Sequence, residues 1–77
     1  MYPARAADNG VEGVVVLACQ VGDDGAMTRC VVESEDPAGY GFGSATARVF
    51  LKYARMKVGE FTPGDWRRFT YKWTLDR

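Results

Sequence analysis

The stretch from Val14 to Glu33, VVVLACQVGDDGAMTRCVVE, constrains this chain more than any other. Apolar runs flank Asp23-Asp24-Gly25, and Asp-Gly between apolar runs is a strong short-range signal for a β-hairpin. If Asp24-Gly25 form a two-residue turn, the pairing that follows places Cys19 opposite Cys30. If the loop has three residues and ends in a Gly25 bulge, Met27 pairs with Val21. One further bulge near Thr28-Arg29 then brings Cys19 opposite Cys30 again. Either register puts the chain's two cysteines on the face that carries Val15, Leu17 and Val21.

The first strand of this hairpin is apolar on both faces. Val15, Leu17, Cys19 and Val21 form one side, and Val14, Val16 and Ala18 are nearly as apolar on the other, with Gln20 the polar exception. Such a strand belongs in the middle of a sheet. The second strand, roughly Thr28 to Ser34, alternates more clearly. Before the hairpin, Pro3 and three alanines predict a short helix of about two turns that stops at Asn9-Gly10.

After the hairpin comes a glycine-rich break, Glu35 to Gly43. Glycines at 39, 41 and 43 ahead of a helix resemble a phosphate loop, but no Lys-Ser/Thr follows and no parallel strand precedes it. A turn anchored by Phe42 is the better reading. A helix is predicted from about Ser44 to Met56, with Ala45, Val49, Tyr53 and Met56 as its apolar stripe, widened by Phe50 and Ala54. Thr62-Pro63-Gly64 has proline and glycine in type II order. Trp66 to Leu75 then alternates: Phe69, Tyr71, Trp73 and Leu75 face one way, Arg68, Thr70, Lys72 and Thr74 the other.

The element order is short helix, strand, strand, helix, strand. It predicts an α+β fold with a three-stranded antiparallel sheet in order 2-1-3 and one helix packed on one face. The expected core is Leu17, Cys19, Val21, Val32, Val49, Tyr53, Phe69, Tyr71 and Trp73. The outer edge of the third strand is left open. At 77 residues this is one small domain, with little stability margin unless it is stapled.

Ten basic and ten acidic residues cancel, so no global charge argues for nucleic acid or an anionic membrane. No apolar run approaches the roughly 18 residues of a membrane helix. Histidine is absent, which removes the commonest acid-base group and the commonest metal ligand. No metal site, cofactor or catalytic residue is read from the sequence. A redox pair would ordinarily be Cys-x-x-Cys at a helix start, whereas these two cysteines lie on strands. A single-strand nucleic-acid platform is opposed by the alternation, which separates the rings of Phe69, Tyr71 and Trp73 from Arg68 and Lys72.

Several separated motifs carry a resemblance. Tyr2-Pro3-Ala4-Arg5-Ala6, Gly13-x-Val15-x-Leu17, Asp24-Gly25, Ser34-x-x-Pro37 and a helix led by Phe42-Gly43 resemble the C-terminal domain of TonB, the energy transducer of Gram-negative outer-membrane transport. The Cys19…Cys30 pair, the run from Glu33 to Gly43 and Arg55-Met56-Lys57 look like a two-cysteine subgroup of that family. The chain departs from the family pattern after the helix: Arg55-Met56-Lys57-Val58 lacks the usual Arg-Phe-x-Pro proline, and the third strand is more aromatic.

The resemblance implies a non-enzymatic periplasmic role within a longer, inner-membrane-anchored protein driven by ExbB and ExbD. The domain would recruit the TonB box, an extended segment in the plug of an outer-membrane receptor, by adding it beside the third strand. Arg67, Arg68, Phe69, Thr70, Tyr71, Lys72, Trp73 and Thr74 would form that partner site, and Arg5 would contact the plug. A periplasmic compartment, together with their facing positions, implies a Cys19–Cys30 disulfide. The alternative function is a periplasmic interaction module that pairs with a second copy through the same strand, or through the apolar face of Val14, Val16, Ala18 and Val31.

Overall fold

Pro3 caps a helix of one and a half turns, α1 (Ala4–Asp8), which buries Ala6 completely. The computed structural model describes residues 2–76. Asn9 ends α1 by donating Nδ2 to the Arg5 carbonyl at 2.8 Å, and Gly10 follows with φ 65°. Three strands come next in the sheet: β1 (Gly13–Val21), β2 (Met27–Asp36) and β3 (Trp66–Trp73). Their order is β2-β1-β3, with β1 antiparallel to both neighbours. The doubly apolar strand takes the centre, as its composition requires. The helix α2 (Phe42–Tyr53) lies over β2 and β1.

Of the two hairpin registers, the bulged one forms. Val21 pairs with Met27, Gln20 with Arg29 and Cys19 with Cys30, so Thr28 is the extra residue. Gly25 makes this turn at φ +87°, and a Cβ there would collide with the Met56 carbonyl oxygen. Only glycine fits both demands. A second shift between Val16 and Leu17 leaves Glu33 as another bulged residue, which the sequence pattern does not reveal. Cys19 and Cys30 form a disulfide with their Cα atoms 4.0 Å apart, the close approach of a non-hydrogen-bonded antiparallel pair.

The core consists of Ala6, Val15, Leu17, Cys19, Val21, Met27, Phe42 and Trp73, with Thr46 also fully buried. Gly13 makes room for it: a Cβ at that position would lie 2.6 Å from the Phe42 ring. Val32 and Phe69 pack against this core, and Val49 is half-buried. Two predicted core residues are corrected. Tyr53 is 59% exposed and Tyr71 37%. α2 starts two residues earlier than predicted, buries Phe42, Gly43 and Thr46, and lies over β2 and β1, which leaves Tyr71 on β3 at the margin of its cover. Ala54 then turns extended, ending the helix at Tyr53, so Tyr53 overhangs the sheet. Met56 leaves the helix and donates its N–H to the Gly25 carbonyl at 2.9 Å.

The type II turn forms as read: Gly64 has φ +92° and Asp65 N–H donates to the Thr62 carbonyl at 2.9 Å. β3 stops at Trp73, two residues short of the predicted Leu75. Among the described residues no helix is long and apolar enough to cross a membrane.

Candidate functional site

β3 is an edge strand, and its hydrogen-bonding direction follows from its neighbour. Val21 N–H donates to the Asp65 carbonyl at 2.8 Å, in register with the β1–β3 ladder. Backbone groups alternate direction along a strand, so the odd positions of β1 bond toward β3. The close Cys19–Cys30 pair agrees, since its backbone groups must point away from each other. Arg67, Phe69, Tyr71 and Trp73 therefore spend their N–H and C=O groups on β1. Arg68, Thr70 and Lys72 direct theirs outward, and no backbone–backbone bond among the described residues meets them.

The two edges of the sheet are unlike. β2 is interrupted by bulges at Thr28 and Glu33, a device that blunts an edge against further pairing. β3 runs its eight residues with no register shift. It is the regular edge of the two.

The side chains of β3 divide as predicted. On the helix side, Phe69 and Tyr71 meet the Phe50 ring at centroid distances of 5.1 and 6.0 Å, and Tyr71 stands edge-on to Trp73 at 5.2 Å. Trp73 itself is buried. Arg67 shares this parity but is tied down, donating Nη2 to the Glu60 carbonyl at 3.2 Å and to Asp65 Oδ2 at 3.1 Å. On the open face, Arg68 reaches over β1 to grip both Glu33 oxygens at 2.6 and 3.1 Å. Trp66 lies under the Arg29 guanidinium at 5.8 Å. Thr70 and Lys72 are exposed, and Thr74 lies beyond the strand end.

The hydrogen bonds from Arg68 hold the Glu33 carboxyl below its ordinary pKa, and Glu33 in turn raises that of Arg68. A depressed carboxylate stabilises the fold above its unfolded pKa and loses that contribution as pH falls through the folded value. An NMR titration of the Glu33 carboxyl is expected to show a low midpoint that returns toward the ordinary glutamate value in Arg68→Gln.

Arg5 is placed elsewhere. Its Nη1 donates to the Gly39 carbonyl at 3.2 Å, and its guanidinium lies 4.9 Å from the Tyr40 ring centre. These contacts belong to the glycine-rich loop rather than to β3. That loop does not offer an anion site: the Glu35 carboxylate lies so close to Gly43 that a Cβ there would be 2.5 Å from Oε1. A carboxylate already stands at the positive end of α2. Glu33 is the contributor to the edge that sequence reasoning missed, hidden by the bulge, whereas Phe50 lies on the predicted apolar stripe of α2 and meets β3 there.

No curated protein and no solved structure matches the chain. Residues 1–76 match the family described as Gram-negative bacterial TonB protein C-terminal. With nearly its whole length matched, the chain belongs to the TonB C-terminal family, transport-associated, non-enzymatic periplasmic domains of energy transduction that interact with outer-membrane receptors.

Proposed function

We propose that this domain recruits the TonB box of an outer-membrane receptor by taking it up as a fourth strand beside β3. The observation that carries the reading is the unpaired, unbulged edge of Arg68, Thr70 and Lys72. Main-chain bonds along such an edge bind an extended segment with little demand on its sequence, which suits one domain serving several receptors. Trp73 serves as the floor of the edge rather than a contact. By the same family reading, the parent protein is anchored in the inner membrane and driven by ExbB and ExbD, and Arg5 touches the receptor plug.

The test uses two proline variants whose effects differ. Thr70→Pro removes an outward N–H and leaves the β1 ladder intact, so the protein folds and affinity for a labelled TonB-box peptide falls about tenfold. Tyr71→Pro removes a bond to β1 and destabilises the sheet itself. A folded Thr70→Pro protein that binds as tightly as the parent overturns strand addition here. If a second copy uses this edge instead, light scattering of the free protein finds a dimer that Thr70→Pro dissociates.

A further inference from the structure

We infer that the β3 edge selects an extended segment in which apolar and acidic side chains alternate, with Tyr71 and Lys72 as the residues that read it. The inference rests on the strand addition proposed above and adds a side-chain code to it. Side chains directly opposite one another on paired strands share a face, whichever way the new strand runs. Every second residue of the segment thus falls beside Phe69 and Tyr71, and the others fall beside Arg68, Thr70 and Lys72.

The two faces offer different chemistry. On the helix side, α2 lies over β2 and β1, which leaves Tyr71 37% exposed at the edge and backed by Phe50 and Trp73. This is an apolar shelf. Tyr71 also sits at a position whose backbone faces β1, so on an antiparallel segment the residue added opposite it occupies a non-hydrogen-bonded pair, where side chains approach most closely. An aliphatic or aromatic side chain there covers the ring.

The open face carries three cations, Arg29, Arg68 and Lys72, and they are unequally committed. Arg68 is held by Glu33 and Arg29 by the Trp66 ring. Lys72 is exposed and has no hydrogen-bond or ion-pair partner among the described residues. The acid in its own cross-strand row, Asp36, lies beyond Val14, two strand spacings or roughly 10 Å away. A carboxylate on a strand added outside Lys72 would stand one spacing away.

Three labelled heptapeptides test this: glutamate alternating with valine, lysine alternating with valine, and the glutamate and valine residues gathered into two blocks. Titrated against the whole chain, the first is expected to bind tightest, up to about fivefold above the lysine peptide. Lys72→Glu, a change at an exposed position, reverses that order. Tyr71→Ser weakens the alternating glutamate peptide by up to about fivefold and leaves its advantage over the lysine peptide unchanged. Equal binding of all three peptides, or a glutamate preference that survives Lys72→Glu, overturns the code. If Thr70→Pro still weakens binding by about tenfold in that case, strand addition stands without it. If no peptide binds the parent at all, both fall together.

Discussion

Trp73→Ala is expected to lower stability by about 3–5 kcal/mol, the usual cost of truncating a buried aromatic. Trp73 is 6% exposed, and the rings of Tyr2, Phe42 and Tyr71 stand 5.3, 5.9 and 5.2 Å from it. Its indole N–H donates to Thr46 Oγ1 at 2.7 Å, and that hydroxyl donates in turn to the Phe42 carbonyl at 2.7 Å. Truncation opens a cavity at the junction of β3, α2 and the N-terminal segment, and it strips the Thr46 oxygen of its donor. Small domains hold only about 5–15 kcal/mol in total, so urea melts should show a large fraction of the stability gone. Thr46→Val isolates the polar part, because it keeps the volume but leaves the indole N–H without an acceptor. Melts in which Trp73→Ala is nearly neutral and Thr70→Val is severe would mean that the faces of β3 are reversed.

That indole–hydroxyl pair marks where the sequence stops being legible. Strand patterns were readable because a period of two leaves two choices, and the apolar residues of β1 and β3 select one. Central placement of β1 followed from valine on both of its faces. The facing cysteines follow from the hairpin turn, since a bulge near Thr28-Arg29 is one of the two registers that bring them opposite each other. The helix was harder. Ala45, Val49, Tyr53 and Met56 make a plausible stripe, whereas the buried line begins at Phe42 and includes a glycine and a threonine. Thr46 belongs inside only because an indole on a strand 27 residues away needs an acceptor, which no local pattern contains. Tyr53 and Tyr71 escape the pattern for a related reason: α2 is short and sits toward β2, so rings of the right parity lie outside its cover. The open edge itself was legible from topology. Its donor set was not, since parity alone offers two alternating sets, and the Val21–Asp65 bond chooses between them.

Reducing the Cys19–Cys30 disulfide is expected to lower stability by about 3 kcal/mol. The bridge closes a loop of 11 residues in sequence separation, and the chain-entropy account assigns roughly that loss to a loop of about a dozen residues. Cys19 is fully buried and Cys30 half-buried, so the sulfurs pack as small apolar groups even when unbonded. The effect should therefore come mainly from freeing the unfolded chain. Urea melts of one preparation with and without reductant measure it, and intact-mass analysis after alkylation reports the bond directly. Two alkylated cysteines in denatured, unreduced protein would overturn the bond. The staple ties β1 to β2, on the side of the sheet away from the open edge. Reduction should consequently loosen the hairpin while leaving the β1–β3 ladder in place. Under conditions where the reduced protein is still folded, peptide affinity at β3 should stay within about twofold, a change of less than half a kcal/mol. A large loss of affinity on reduction would mean that the β3 edge depends on the hairpin for its shape, through the β1 ladder or through the Arg68–Glu33 pair that spans it.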